Sequence, residues 1–349
     1  LQAINWSADT LPLGQVQSIF GNLMWITKVY TMLKAWMAPW RRCMQGVSTA
    51  DVAPDYRVNS AMPRESNALA QKKLKKDTSM LIQWLQHMCQ QKREHGEHHK
   101  NCMMPISILR DSETCYDLDD DLDKVAIGGD ASGTCWSVLC HSLRQAMVIY
   151  MPPAMQQAIK QAGKMPADAP LRRFLISIAE HMVAAFALLQ WGAAWQEQGY
   201  KAAFYHTDNQ NSFAWAKSGF ASNDIAQELC RLIGALQACF TLHLLPVWWP
   251  SALNLMADIL SRMLDENGNV IMPMSEKFDK LNNSLKQPYK LVLPNADVKN
   301  LLRWIETVKH AFDELSEITL FSDSKFLGGL RGASVIDVTT GIPLCLSHM

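Results

Sequence analysis

The stretch Val125-Ala-Ile-Gly-Gly-Asp-Ala-Ser-Gly-Thr134 constrains this chain more than any other. Val125 to Ile127 form an apolar run, two glycines follow, and one carboxylate, Asp130, comes next with Ala-Ser-Gly behind it. This is the pattern of a core strand that delivers a single acidic side chain to its rim and then turns. A lone Asp in such a place often caps a turn. Its meaning depends on whether carboxylates from other elements arrive to meet it.

Length and charge bound the possibilities. The chain has 349 residues, enough for a substantial core and two or three domains. Its 33 basic and 33 acidic residues cancel, which excludes a strongly basic nucleic-acid wrapper but not a nucleic-acid enzyme with local contacts. The 9 cysteines form no CxxC pair. Their odd number argues for a reducing, intracellular setting, cytoplasm or nucleus, and against a disulfide scaffold. No stretch is expected to reach membrane-spanning length and no signal peptide opens the chain, so no membrane partner is expected. The opening Leu1 implies a piece of something longer.

From the N-terminus, Leu13, Val16, Ile19, Phe20, Leu23, Ile26, Val29, Leu33 and Trp36 recur at helical spacing, with Gly21 expected where two helices approach and Pro39 as the end. Residues 46–67 read as a loop. Residues 68–100 hold the only concentrated basic segment, read as a solvated helix face with phosphate contact as the rival. Cys89, His95, His98, His99 and Cys102 offer zinc-type ligands, but at neither finger nor ribbon spacing. Asp117 to Asp123 lack the glycine and glutamate of a calcium loop and read as a charged linker.

Beyond residue 125 the pattern becomes that of an α/β domain. Val125–Gly129, Trp136–His141 and Ala146–Met151 predict an antiparallel meander. Helices are predicted at Met155–Gln161 and Leu171–Gln196, then a strand at Phe204–Thr207, a short helix over Asn209–Lys217 with its cap among Asn209 to Asn211, and a helix over Asn223–Phe240 capped by Asn223 or Ser222. A strand at Thr241–Val247 and a helix at Leu253–Arg262 complete the order, with Glu228, Arg231 and Gln237 expected on a wet face. Residues 265–349 are less legible, apart from a strand near Pro288–Leu293 and a helix capped by Asn295.

Four carboxylates occupy special places: Asp130 and Asp208 at strand ends, Glu180 in an apolar helix, and Asp258 in the last helix of the domain. Glu180 is flanked by Ile176, Val183, Phe186, Ala187 and Leu188, where a carboxylate is costly unless paired or metal-bound. The assumed fold brings all four to one rim. Clustered carboxylates repel, and two Mg²⁺ ions about 4 Å apart (Mn²⁺ as a substitute) relieve that and supply phosphodiester chemistry.

The motifs Gly129-Asp-Ala-Ser132, Leu189-Gln-Trp-Gly192 behind Glu180, His206-Thr-Asp-Asn-Gln210, and Asn254 with Ala257-Asp-Ile-Leu-Ser-Arg262 carry a resemblance. Together, in this order, residues 125–262 resemble the ribonuclease H domain that follows reverse transcriptase in retrotransposons, especially the DIRS-like and Ty3-like kinds. Residues 11–45 resemble the thumb and connection that close the polymerase part. The resemblance implies an RNase H-like α/β fold, a mixed five-stranded sheet with flanking helices, an N-terminal helical segment over 1–110, the nuclease domain over 111–264, and an extension of unknown role over 265–349. It implies that Asp130, Glu180, Asp208 and Asp258 are catalytic and hold the metals. Ser132, His206, Asn209, Gln210, Asn254 and Arg262 become candidate substrate contacts, with Lys217 a further phosphate contact and packing the favoured role of His206. The implied reaction is endonucleolytic hydrolysis of the RNA strand in RNA–DNA hybrids, with the hybrid and the missing polymerase part as partners.

Two departures stand out. The family commonly has Gly where this chain has Cys135 and Ser137, which implies a strained turn and a crowded strand. The rival readings are a catalytically degenerate domain that binds hybrid or organises a polymerase, and an integrase- or transposase-like DNA nuclease, which usually needs three carboxylates.

Overall fold

The computed structural model describes residues 10–38, 40, 41, 57–59, 124–164, 170–221 and 223–307. The basic segment 68–100, the Cys89–Cys102 group, the Asp117–Asp123 run and residues 308–349 lie outside these residues. Two short strands, β1 (Thr10–Pro12) and β2 (Arg57–Asn59), pair antiparallel near the N-terminus.

The central sheet grows from the stretch around Asp130. Strand β3 (Lys124–Ala131) pairs antiparallel with β4 (Cys135–Cys140), and β4 with β5 (Gln145–Tyr150), which is the expected meander. On its other side β3 pairs parallel with β6 (Ala202–Thr207), and β6 with β7 (His243–Trp248). Parallel neighbours need long crossovers. Helix α3 (Pro170–Glu197), after the shorter α2 (Pro153–Gly163), supplies the first. Helices α4 (Gln210–Ser218) and α5 (Asp224–Cys239) supply the second. The Asn209 side chain accepts from the backbone N–H groups of Asn211 and Ser212, and Asn223 accepts from Ala226, so of the candidate caps Asn209 and Asn223 are the ones used.

The sheet has six strands where five were expected. Strand β8 (Lys290–Leu291) pairs parallel with the outer edge of β5, giving the order β7-β6-β3-β4-β5-β8. It covers backbone groups that would otherwise be an open edge. Its two residues are exposed, so no apolar run fixed its place. The result is a mixed sheet flanked by helices, broadly RNase H-like in architecture, with N- and C-terminal additions.

Helix α3 is apolar on nearly every side because it is covered on nearly every side. It lies on β3 and β4, with α2, α4, α5 and a later helix, α8 (Ala296–Thr307), around it. The Trp136 indole donates to the Ala179 carbonyl (2.8 Å) and stacks edge-on against Phe186. Contrary to the sequence expectation, Leu175–Glu197 is long and apolar enough to cross a membrane, but 83% of its most apolar window is buried within the protein. Gly192 of this helix stands where a Cβ would come within 2.4 Å of the Phe240 ring. Gly192→Ala is therefore expected to cost about 1–3 kcal/mol through overpacking, read as a lower midpoint in urea. An unchanged midpoint would show that the ring moves aside freely.

The N-terminal periodicity is not one helix. Helix α1 (Leu13–Val29) stops at Tyr30, and Thr31–Met37 continues as a 3₁₀ helix whose Met32, Leu33, Trp36 and Met37 are buried in the main core. Among the described residues nothing lies within 4 Å of a Cβ placed at Gly21, so no close approach of the expected kind is seen there. That role falls to Gly234 of α5, where a Cβ would lie 2.5 Å from the Met32 carbonyl oxygen. Gln227 fastens the two segments by donating to the Ala35 and Gly219 carbonyls. The supposedly wet face of α5 is also covered: Glu228 and Gln237 are buried, Glu228 pairs with Arg231, and the Gln237 amide oxygen accepts from the Leu244 N–H. Pairing and hydrogen bonds let these polar groups lie inside, where residue type alone suggests solvent.

After β7 come a 3₁₀ turn (Ser251–Leu253), α6 (Leu255–Ser261) and α7 (Met272–Asn283), a helix the sequence pattern did not reveal. Helix α6 rests on β3 and β4, and α7 packs on α6. Asn295 caps α8 and donates to the Leu189 carbonyl of α3.

Candidate metal centre

The site is made where β3, β6 and α3 meet. Gly129 has no space for a side chain, since a Cβ there would lie 2.2 Å from the Ser137 carbonyl oxygen and 2.5 Å from Val183 Cγ1. The bare backbone lets α3 settle directly on the strand. Val183 makes that contact, and Glu180, one turn earlier, is brought beside Asp130. Asp208 arrives through register. Gly128 pairs with His206 in the parallel ladder, so two residues further on Asp130 and Asp208 leave neighbouring strands at the same level.

Asp130, Glu180 and Asp208 each present a carboxylate oxygen within 4.8 Å of the other two. Burial pushes Glu180 up to about 9, the charges of Asp130 and Asp208 push the same way, and a hydrogen bond with Asn209 opposes them. Glu180 Oε2 is buried and has no hydrogen-bond partner among the described residues. Burial likewise raises Asp130 to about 6, against a hydrogen bond from Ser261 and with the charges of Asp208 and Asp258 adding to the rise. Without a counter-ion the group holds protons. With a divalent cation the same oxygens become ligands. The donor set is all oxygen, which suits Mg²⁺, Mn²⁺ or Ca²⁺ and not the softer metals. The orphaned Glu180 oxygen is the observation that makes the fit specific.

Asp258 does not join the mutual group. Its carboxylate is held by Arg262 at 2.6 Å, its side chain is 40% exposed, and it reaches Asp130 only as a neighbouring charge. The four-fold convergence expected from the sequence is therefore three-fold, because the position of α6 and the Arg262 pair keep the fourth carboxylate aside. Neither a protein-family model, nor a curated protein, nor a solved structure matches the chain. What can be said of the site rests on its geometry.

The other sequence candidates fall into two groups. Asn209 caps α4 and touches Glu180, and Gln210 beside it is exposed. The Asn254 amide donates to the Gly129 carbonyl, tying the start of α6 to the strand below Asp130. Ser132 is engaged in its own turn, accepting from the N–H groups of Thr134 and Cys135. Arg262 is engaged with Asp258. His206 is buried against Trp249 with ring centroids 4.3 Å apart, and burial holds it neutral, down to about 4. It packs.

Cys135 and Ser137 neither strain the turn nor crowd the strand, because both side chains are used. No residue of the β3–β4 turn has a positive φ. The Ser137 hydroxyl accepts from the Asp130 N–H (3.1 Å) and donates to the Ala257 carbonyl (2.8 Å). The Cys135 thiol donates to the Ser261 carbonyl, and the Ser261 hydroxyl donates to Asp130 Oδ2 (2.7 Å). A closed network thus locks α6 to β4 and orients Asp130. Ser261 and Ser137 hold Asp130, a part that their place in the sequence did not reveal. Ser261 stood inside a quoted motif, which is the one signal that could have found it. Ser137→Ala is expected to cost about 1–2 kcal/mol by stranding buried partners, measured by urea unfolding. Unaltered stability would remove the clamp.

Proposed function

We propose that this chain is a ribonuclease H-type nuclease: a two-metal-ion endonuclease that hydrolyses the RNA strand of RNA–DNA hybrids as part of a retrotransposon reverse transcriptase. The observation that carries the reading is the convergence of Asp130, Glu180 and Asp208 with a buried, unpartnered Glu180 oxygen. The ordered motifs from Gly129 to Arg262 support the retrotransposon part of it. The hybrid and the polymerase part of the same polyprotein are the proposed partners.

Asp130, Glu180 and Asp208 would hold Mg²⁺, and Asp258, a neighbouring charge to Asp130, would have to turn from Arg262 to serve a second ion. Divalent ions bound there supply a nucleophilic water at neutral pH and neutralise charge on the leaving 3′-oxygen. The chain's own part is preorganisation. Ser261 and the strand backbone fix the Asp130 carboxylate, Gly129 sets the depth of α3 and hence of Glu180, and the capped start of α4 fixes Asp208. Asn209 touches Glu180 and the next residue, Gln210, is exposed, so both would be the amides that meet the 2′-hydroxyl distinguishing RNA from DNA. Labelled RNA annealed to DNA, incubated with Mg²⁺, should yield fragments with 3′-hydroxyl and 5′-phosphate ends. No cleavage above background would leave the degenerate hybrid-binding reading.

The three-fold cluster favours one second reading, a DNA-cutting integrase- or transposase-like enzyme. Duplex DNA in the same assay separates them. Cleavage of DNA with the hybrid RNA left whole would replace the ribonuclease reading.

A further inference from the structure

Away from the carboxylates a cavity of about 580 Å³ lies between the N-terminal 3₁₀ segment, α4, α5 and the edge strand β7. Its inner wall is apolar, with Trp215 and Phe213 of α4 contributing aromatic faces, and Trp248 stands beside it with 48% of its surface exposed. Among the described residues every charged side chain lining it is a lysine: Lys28, Lys34 and Lys217. None of the three pairs with a carboxylate among the described residues. The Lys34 ammonium donates to the Lys217 carbonyl (3.2 Å), and the Lys217 ammonium lies 5.7 Å over the Phe213 ring. Lys34 is held below the usual lysine range by burial first and then by the positive charges of Arg41 and Lys217. Gathering like charges around an apolar hollow is unfavourable until an anion enters. The volume is in the range that takes a small organic ligand, and lysines with aromatic faces are the equipment for a phosphate joined to a planar base.

We propose that this cavity binds one unpaired nucleotide of a nucleic-acid strand, its phosphate among Lys28, Lys34 and Lys217 and its base against the aromatic wall. The position favours a strand over a free nucleotide, and that choice rests on the nuclease reading. The cavity follows β7 from Leu244 to Trp248, and Trp248 pairs in the ladder with Thr207, the residue before Asp208, so one end of the cavity lies at the same end of the sheet as the carboxylates. Helix α4 starts two residues after Asp208 and carries Lys217 near its end, a span of about 10–15 Å at 1.5 Å per residue, which places Lys217 a few nucleotides from the carboxylates. A strand end that leaves the duplex near the cut would be held there.

The test measures binding without cleavage. In the full chain carrying Asp208→Asn, with a chelator present, a fluorescein-labelled single-stranded DNA 10-mer is titrated and its anisotropy followed over a series of salt concentrations. Lys28→Gln with Lys217→Gln, both exposed positions, should weaken binding about 10-fold at moderate salt and lower the slope of log K against log salt by about 0.7, the value for one phosphate on a single strand. Trp248→Ala should weaken binding about 5-fold or more with the slope unchanged, since stacking does not release counterions. Binding and slope equal to the parent in both variants would overturn the site. Displacement of the 10-mer by adenosine monophosphate at the same nucleotide concentration would overturn the strand assignment in favour of a free nucleotide. A chain that cuts no hybrid but shows these losses would retain the cavity and lose only the nuclease reading.

Discussion

Asp208→Asn is expected to lower Mg²⁺-dependent cleavage of a labelled hybrid by about 10³-fold or more, which corresponds to about 4 kcal/mol of lost transition-state stabilisation. The amide has nearly the same shape as the carboxylate, so the fold should survive. Asp208 ends β6 at the rim, and the capping bonds of α4 belong to Asn209 and do not depend on it. What disappears is one negative charge and one ligand from a group of three oxygens within 4.8 Å. Asp258→Asn is the matched comparison. Its carboxylate stands outside the group and is already paired with Arg262, so its loss should be roughly 10- to 100-fold, a smaller part of the same electrostatic stabilisation. Equal losses at the two positions would sink the three-ligand description. A parent chain that cuts no better than Asp208→Asn would sink the enzyme itself.

The second large effect is on stability without metal. Glu180 has an ordinary value of 4.5 and is raised to about 9 in the fold, chiefly by burial. Between those values the folded chain keeps a proton that the unfolded chain has lost, so this contribution is complete below about 4.5 and is lost as pH rises toward 9. Asp130 acts in the same sense over a lower window, from 3.8 to about 6. Buried neutral histidines work the other way. His141, His181 and His206 are depressed below 6.5, so their contribution is lost as pH falls and is constant above about 7. The interval from pH 7 to 8 therefore reports chiefly on Glu180, because the buried thiols of Cys135, Cys140 and Cys230, raised from 9.0, add a loss of the same sign only as pH approaches 9. In chelator, the melting temperature of the parent should fall across that interval, while Glu180→Gln stays level and melts about 5 °C higher at pH 8, equivalent to roughly 2 kcal/mol. Mg²⁺ should raise the parent's melting temperature at pH 8 and leave the variant where it was. A parent that grows more stable from pH 7 to 8 in chelator, alongside an indistinguishable variant, would show that Glu180 is not held in a strained protonated state.

The two effects also separate roles within the cluster. Asp208 is expected to matter for rate more than for stability, because it lies at an open strand end. Glu180 is expected to matter for both, because α3 carries it into the interior. The network through Ser137, Cys135 and Ser261 adds a third kind of contribution, the orientation of Asp130 by groups that never meet substrate.

Local chemistry was enough for much of the domain. Apolar runs and alternation located β3 to β7, three asparagines marked helix starts that the structure capped through those same side chains, and a glutamate in an apolar helix announced its own cost. These properties belong to a few neighbouring residues, so they are written in order along the chain. The break at Tyr30, the strand of two exposed residues at the sheet edge and the burial of the Glu228–Arg231 pair were not legible. Each depends on what another part of the chain places alongside.

The stretch from Val125 to Thr134 divides the same way. Its residues alone determined a core strand ending in a carboxylate. Only the tertiary structure decided that Asp130 meets Glu180 and Asp208 but not Asp258, and that Cys135 and Ser137 brace the site. The physical reason is distance. Sequence spacing sets direction along one element, whereas separation between elements is set by packing, here by a glycine that lets a helix rest on a strand and an ion pair that holds one carboxylate aside.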